Sequence, residues 1–417
     1  MNAPTANADV ALHVVRTLQQ HGHAAYFAGG CVRDRIRGAA PNDYDVATSA
    51  HPEQVLALFP KARKVGAAFG VMLVRKADTT IEVATFRTDG QYHDGRRPDA
   101  VRFATAQEDA HRRDFTCNGI FYDPLADVYH DFVEGRADIA NKLLRAIGEP
   151  AHRFAEDHLR MLRAVRFAVR LEFTIDPATF AAIQAHAPQL RRITRERTGE
   201  ELRMMLEHPR RADAVALLEN AGLLDVAWPE HLPRKNQGAR PAWPTLAALP
   251  DGATYAVALA ALVIDAAGAA EIIPAQAAAA LRDAFMLSNA VADDAQWLLA
   301  QLPTVQRWPE LRDAGFKRLL ADARFPMLQA LHDAAIGHQE NAEELRRGLR
   351  ERIAKIPPES IAPAHFVTGD DLINMGAKPG AKFRTWLDDL YSQQLENAFS
   401  DRQAALTAAR RLISESP

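Results

Sequence analysis

The stretch "FAGGCVRDRIRGAAPNDYDVATS", Phe27 to Ser49, decides how this chain is read. An apolar run enters Gly29-Gly30, where two residues without side chains permit a tight turn and close approach of a ligand to the backbone. The helix expected next begins with N–H groups that suit phosphate, and Arg33 adds positive charge beside them. "YDVATS" then reads as a strand. Asp43 and Asp45, two apart, are expected to point to one face of it. Two carboxylates on one face repel unless a cation stands between them. Hard oxygen ligands suit Mg²⁺, which keeps part of its water shell and also takes oxygens from substrate phosphates. A third carboxylate completes a two-ion site, and Glu82 on a later strand is the candidate. Turn, arginine and paired carboxylates together point to a site for a nucleoside triphosphate.

Outward from this stretch, short strands alternate with helices up to about residue 140. "AAYFAGG", "GVMLVRK" and "TTIEVATFR" read as strands, the last with Ile81, Val83 and Thr85 alternating against Glu82, Ala84 and Phe86. "KADT" reads as a hairpin turn, so part of the sheet is expected to be antiparallel. Pro52 sits just inside an expected helix start. Beyond residue 140 strand signals nearly vanish and helical spacing continues to Ile413. "WPEHLPRKNQGARPAWP" (Trp228 to Pro244) and "IPPESIAP" (Ile356 to Pro363) read as linkers. The expectation is an α+β fold class. A head with a mixed or antiparallel sheet occupies residues 1–140, and all-helical segments follow at 141–225, 226–350 and 351–417.

Composition sets the bounds. The 417 residues exceed one typical domain, and 48% hydrophobic with 25% charged residues is ordinary for a soluble globular protein. The net charge of -3 leaves nucleic-acid binding to local basic patches. Cys31 and Cys117 have neither disulfide-framework nor zinc spacing. "MNAPTANADV" lacks the basic and apolar regions of a signal peptide. The longest apolar run, Ala253 to Ile264, is too short to span a bilayer and reads as a buried helix. No membrane association and a cytoplasmic location are expected.

Two further runs carry chemistry. "RRDFTCN", Arg112 to Asn118, falls in an expected helical stretch from about Gln107; Arg112, Arg113 and Asp114 are adjacent and cannot share one helix face. "EDHLRMLRAVRF", Glu156 to Phe167, reads as an amphipathic helix. Phe154, Met161, Leu162, Val165 and Val169 lie on one arc, and Glu156, Asp157, Arg160 and Arg163 lie opposite. Glu156 and Arg160 are i,i+4 partners. A carboxylate accepts from an exocyclic amine and an arginine donates to a ring acceptor. Asp157 with Arg160 therefore suits C and A, whose pairing edges set the N4 or N6 amine beside a ring-nitrogen acceptor, and not G or U, which carry an oxygen and an N–H there. Arg163 and Arg166 can reach a triphosphate or hold the fold.

"GGCVRD" followed by "DYDVAT" resembles motif A of the polymerase-β-type nucleotidyltransferase superfamily. More narrowly it is similar to the class II branch, the bacterial CCA-adding tRNA nucleotidyltransferases and poly(A) polymerases. "RRDFTCN", "EDHLRMLRAVRF" and "ITRERTGEEL" (Ile193 to Leu202) resemble that family's motifs B, D and E. "VTGDDLINMGAKPG" (Val367 to Gly380) with "QLENAF" resembles the tail of bacterial CCA-adding enzymes. "IRG", Ile36 to Gly38, stands where the family often has Leu-Gly.

The resemblance implies a catalytic head, a base-reading helical neck (141–225), a body (226–350) and a tRNA-binding tail (351–417). It implies that Asp43, Asp45 and Glu82 hold two Mg²⁺ ions. The nucleotide residues it implies are Gly29, Gly30, Arg33, Arg112, Arg113, Asp114, Asn118, Glu156, Asp157, Arg160, Arg163 and Arg166. Motif E mainly supports the neck. The substrates implied are CTP, ATP and the 3′ end of tRNA, with pyrophosphate released. Poly(A) polymerases usually carry a Gly-Arg-Arg-Phe-like run and basic extensions; this chain has "KVGAAFGVML" and ends "RRLISESP". CCA addition is thus favoured over the addition of A alone or poly(A) synthesis. The alternative of another class is a non-catalytic RNA-binding protein. Thr88 to Phe103, with two glycines and a proline, reads as a mobile surface loop beside Glu82; the resemblance implies that this loop helps the pocket change from C to A.

Overall fold

The computed structural model describes residues 4–65, 70–76, 78–89, 101–234, 243–268 and 271–415. Two compact units emerge: residues 1–230 with 284–286, and 231–283 with 287–417.

The first unit is α+β to about residue 144. Its elements run α1 (Pro4–Gln20), β1 (Ala25–Ala28), α2 (Gly30–Ile36), β2 (Asp45–Thr48), α3 (Pro52–Leu58), β3 (Arg63–Lys64), β4 (Val71–Lys76), β5 (Thr79–Thr85), β6 (Arg87–Asp89) and β7 (Val101–Phe103). Then come α4 (Ala106–Arg112), β8 (Ile120–Asp123), β9 (Val128–Asp131), α5 (Gly135–Ala140) and β10 (Leu143–Leu144). Seven strands form one mixed sheet in the order β3-β4-β5-β2-β1-β8-β9. Only β2 and β5 pair in parallel within it; β4 and β5 form the expected antiparallel hairpin pair, Lys76 opposite Thr79. On β5 the alternation holds through Ala84, with Ile81, Val83 and Thr85 buried and Glu82 exposed. Phe86 breaks it. It lies past the strand end and turns inward to pack with Ala28, Ala47, Ala110 and Phe121. Full burial of a ring such as Phe121 stabilises by about 1.5–3 kcal/mol. This cluster therefore anchors β1, β2, β8 and α4 on one another, and these are the elements that carry the motifs.

The expected loop from Thr88 to Phe103 is shorter than its sequence suggests. Its two ends pair as an antiparallel ribbon, Thr88 opposite Arg102 and Asp89 opposite Val101. The intervening residues 90–100, with the expected C-to-A role, lie outside the described residues.

Helices complete the first unit: α6 (Pro150–Glu156), α7 (Leu159–Leu171), α8 (Pro177–His186), α9 (Arg195–Leu206), α10 (Arg211–Asn220) and α11 (Leu223–Ala227). One strand interrupts them, β11 (Thr174–Ile175), which pairs in parallel with β10. Helix α7 is wedged deeply, with Met161, Leu162, Ala164 and Val165 fully buried.

The second unit is helical among the described residues. It contains α12 (Pro244–Ala248), α13 (Tyr255–Ala267), most of α14 (Pro274–Phe285), α15 (Asn289–Gln306), α16 (Asp313–Ala321), α17 (Phe325–Ala335) and α18 (Ala342–Ala354). It ends with α19 (Gly369–Asn374), α20 (Ala381–Leu395) and α21 (Arg402–Glu415). The apolar run expected as a buried helix is α13. It continues through Asp265, whose buried carboxylate accepts from the Thr245 and Leu246 N–H groups at the start of α12. Part of the first expected linker, 235–242, lies outside the described residues; the second contains a 3₁₀ turn, Pro358–Ser360, within this unit. Val367, Leu372, Leu390, Ala405 and Ala409 pack α19, α20 and α21 into a small core. No described helix is long and apolar enough to cross a membrane.

Candidate active site

The Gly-Gly turn joins β1 to α2. Gly29 has φ 70° and ψ -130°, a conformation that side chains disfavour. A Cβ there would meet Arg113 Nη1 at 3.6 Å and Asp45 Oδ2 at 3.8 Å. The turn thus leaves the cleft floor open beside Asp45.

Asp45 is the first residue of β2, facing Ala28 on one side and Glu82 on the other in register. Asp43 precedes the strand; the expectation that both aspartates lie on it is corrected, because regular pairing begins only at Asp45. Parallel pairing sets Asp45 and Glu82 on adjacent backbones about 4.8 Å apart with side chains on one face. The Asp45 carboxyl is pushed up from the ordinary 3.8 to about 6. Desolvation is the main cause, followed by the charge of Glu82; Arg113 opposes the rise and Asp43 adds to it. Such a cluster favours a bound cation or proton. Among the described residues no three His, Cys, Asp or Glu side chains stand already gathered at metal-binding separation. The donor set is nevertheless all-carboxylate and open to the cleft, as Mg²⁺ requires.

The expected helix at "RRDFTCN" ends sooner than its sequence suggests. Thr105 and Glu108 form a capping box for α4, and Arg112 is its last residue. Arg113 and the residues after it leave the helix, which separates three adjacent charged side chains. Buried Asp109 grips both arginines: Oδ1 accepts from Arg112 Nε at 2.8 Å, and Oδ2 accepts from Arg113 Nε at 3.1 Å and Nη2 at 3.0 Å. Oδ1 also accepts from the Arg87 N–H at the root of β6. Asp114 accepts from the Phe115 N–H, from Asn118 Nδ2 and from Arg163 at 3.0 and 2.8 Å. Burial alone would raise its carboxyl, but Arg163 and these hydrogen bonds bring it down to about 2. Asn118 Oδ1 in turn accepts from Arg33 Nη1 at 2.8 Å. Arg33, Asn118, Asp114 and Arg163 thereby form one chain of hydrogen bonds, and Arg163 stands 3.7 Å from Glu201, which accepts from Arg166 at 2.6 Å.

"EDHLRMLRAVRF" is two helices rather than the one expected. α6 ends at Glu156 and α7 begins at Leu159, with Asp157 between them in an extended conformation, φ -143° and ψ 103°. The amphipathic pattern is real for α7, but Asp157 is not on that helix. Its position is fixed by tertiary contacts. Oδ1 accepts from the Leu159 N–H at 3.0 Å, and Arg197 donates to both carboxylate oxygens at 3.3 and 2.8 Å. Glu156 pairs with Arg160 at 2.9 Å as expected, and also with Arg153. Arg160 donates further to the carbonyls of Arg153 and Arg112. With three of its five N–H groups so placed, two remain.

A single cavity of about 610 Å³ is lined by all the expected site residues except Glu156, whose carboxylate is taken up by the two arginines. Asp45 and Glu82 line it from the sheet, Gly29, Gly30 and Arg33 from the turn after β1 and from α2, Asp43 from the approach to β2, Arg112 from the end of α4, Arg113, Asp114 and Asn118 from the residues that follow, and Asp157, Arg160, Arg163 and Arg166 from α7 and its entry. Sequence reasoning missed Asp109, Glu201 and the clamp by Arg197. Asp109 had a local signal, standing three and four residues before Arg112 and Arg113. Glu201 and Arg197 lie in the motif E stretch expected to support the neck, but nothing local named their partners, which stand 35 and 40 residues away.

Residues 25–145 match the family described as poly A polymerase head domain. Residues 172–234 match that described as the probable RNA and SrmB-binding site of polymerase A. The chain is 38% identical to a CCA-adding enzyme of Geobacillus kaustophilus over 404 residues, 93% of each chain, and 38% identical to that of Geobacillus stearothermophilus over 88% of each. A crystal structure of the Bacillus stearothermophilus CCA-adding enzyme in complex with CTP superposes over all of both chains, with TM-score 0.80 and 31% identity. The Thermotoga maritima CCA-adding enzyme complexed with tRNA shares the fold, with TM-score 0.67 and 18% identity over 97% of this chain and 95% of that one.

Proposed function

This chain belongs to the family of CCA-adding tRNA nucleotidyltransferases, and from that premise we propose that it adds C, C and A from CTP and ATP to the 3′ end of tRNA in the cytoplasm. The RNA 3′-hydroxyl attacks the α-phosphorus of the nucleotide. A new P–O bond forms to the hydroxyl oxygen, the bond to pyrophosphate breaks, and the hydroxyl proton is lost. Two Mg²⁺ ions held by Asp43, Asp45 and Glu82 would acidify that hydroxyl and neutralise the leaving pyrophosphate. Gly29 and Gly30 let phosphate approach the backbone. Arg33, Arg112, Arg113, Arg163 and Arg166 supply the charge that orients it. Asp114 and Asn118 hold Arg163 and Arg33 in place for that task.

Base choice rests on Asp157 and Arg160. Asp157 accepts from the exocyclic amine of C or A, and the two unengaged N–H groups of Arg160 donate to the neighbouring ring nitrogen. G and U present an oxygen and an N–H there and would leave buried polar groups unpaired. The protein thereby stands in for a template. The observation that carries this reading is the rigid placement of both side chains. Arg197 clamps Asp157, and three acceptors hold Arg160, in the cavity that also contains Asp45 and Glu82.

The chain is proposed to work as a head (1–140), a neck (141–225), a body (226–350) and a tail (351–417). In the tail, Lys378, Lys382 and Arg384 position the RNA backbone. Supplying tRNA that ends before CCA, after C or after CC, with CTP and ATP, and sequencing the products tests the proposal. All three substrates should end in CCA. Extension of the CC-ending tRNA alone would instead identify an A-adding enzyme, and no extension of any would leave an RNA-binding role.

A further inference from the structure

We infer that Arg170 binds a phosphate group of the bound substrates at the outer end of the cleft, an inference that rests on the nucleotidyltransferase reading above. Seven other arginines line the cleft; Arg87 is engaged within the protein, and the remaining six each bond a protein carboxylate: Arg33 to Asp34, Arg112 and Arg113 to Asp109, Arg160 to Glu156, Arg163 to Asp114 and Arg166 to Glu201. Their charges are already largely met by the protein. Arg170 lines the same cavity and is exposed, and among the described residues it has no hydrogen-bond, ion-pair or ring partner.

Its place on α7 gives this solitary charge a direction. Arg163, Arg166, Phe167 and Arg170 follow at spacings that keep them on one face of the helix. Arg163 and Arg166 pack over the Phe167 ring at 5.2 and 4.5 Å, which leaves the next turn to Arg170. Arg170 stands ten residues beyond Arg160, about 15 Å along the axis at 1.5 Å per residue. The base-reading end of α7 and Arg170 therefore lie at opposite ends of the row. About that length separates the pairing edge of a base from the outer part of its nucleotide or from the backbone of the adjoining RNA. The end of α7 tolerates an unpaired cation, because the carbonyl end of a helix is negative. A guanidinium with all its N–H groups unengaged offers a phosphate two parallel hydrogen bonds. A phosphate is the chemistry that fits, whether it is the outer phosphate of the nucleotide or a phosphate of the RNA 3′ end.

The test compares Arg170→Ala, Arg170→Lys and Arg170→Glu with the wild-type enzyme, measuring KM for CTP, KM for tRNA lacking CCA, kcat and melting temperature. Loss of an exposed, charge-assisted contact is expected to raise one KM about tenfold in Arg170→Ala. kcat should stay within about twofold, lysine should restore part of the loss, and glutamate should worsen it. A rise confined to CTP assigns the nucleotide phosphate. A rise confined to tRNA assigns the RNA, with the slope of log affinity against log salt shallower by about 0.7 for one lost single-strand contact. If both KM values stay within twofold of wild type and only the melting temperature moves, Arg170 merely complements the helix end and the inference is overturned. Equilibrium binding of CTP by the wild-type chain separates the two levels of the argument. A wild-type chain that neither binds CTP nor extends tRNA refutes the nucleotidyltransferase reading and this inference with it. An active wild type with unaffected variants refutes the inference alone.

Discussion

Replacing Asp109 by alanine removes one carboxylate on which three separate parts of the site depend. Asp109 is 1% exposed and accepts from the Arg87 N–H, from Arg112 and from Arg113. Burial by itself would raise its carboxyl, yet Arg113 and then Arg112 hold it below the ordinary value, so the pair energy outweighs the desolvation. Breaking a buried ion pair from one side costs about 3–5 kcal/mol, because the partner charge is left uncompensated. Arg112 and Arg113 are 19% and 17% exposed, so water recovers part of the loss and the lower end, about 3 kcal/mol, applies. At about 2–4 °C per kcal/mol for a unit of this size, the first unit should melt about 6–12 °C lower. Activity should fall for a distinct reason. Arg113 lies against the Gly29 turn and its charge acts on Asp45, so a guanidinium left with only the Asn118 carbonyl and the Phe121 ring as partners shifts and aims its charge less well at the carboxylates. A displacement of about 1 Å at such a group costs on the order of 100-fold in rate. Calorimetry of the first unit and single-turnover addition of C, both well below the lowered melting point, measure the two effects separately. A variant that melts within 1 °C of wild type refutes the energetic argument. One that melts early but transfers C at the wild-type rate refutes the positioning argument.

Three further outcomes are expected. Asp43→Ala and Asp45→Asn should each abolish transfer. Asp45→Asn should also stabilise the fold above about pH 6, since an acid whose folded value is raised costs stability once ionised; turnover within a few-fold of wild type in either would sink the metal assignment. Asp157→Ala, Arg160→Ala and Arg197→Ala should all admit UTP or GTP at measurable rates, the last because it unclamps Asp157. Unchanged misincorporation with only a slower rate would show that the pair does not read bases. Asp114, held at about 2 against an ordinary 3.8, should contribute about 2 kcal/mol of stability that is fully present above about pH 4 and lost as the pH falls toward 2. Asp114→Asn should flatten that part of the stability–pH curve, and a variant curve parallel to wild type there would contradict the assignment.

The sequence determined the chemistry because that chemistry is local. Gly29-Gly30, Arg33, Asp43 and Asp45 lie within one turn-and-strand segment, and the period-2 burial of β5 placed Glu82 on its exposed face before any partner was known. Strands β1, β2, β4 and β5 were legible for the same reason, as were α3 and the buried helix α13, whereas β8 and β9 on the far side of β1 were not read from the sequence. What tertiary structure decided was everything that depends on a distant partner. Parallel register alone sets Glu82 beside Asp45, since nothing in either strand names its neighbour. Periodicity ran straight through Asp157, but the chain breaks there and turns the carboxylate into the cavity, where a side chain 40 residues later clamps it. Arg163 and Arg166 looked alike in sequence; one is held by Asp114 and the other by Glu201, and only packing of α7 against α9 and the turn after α4 distinguishes them. Side-chain type and spacing specify which groups a chain can offer, whereas the long-range contacts of the folded core specify which of them keep a free hydrogen-bonding face toward the substrate.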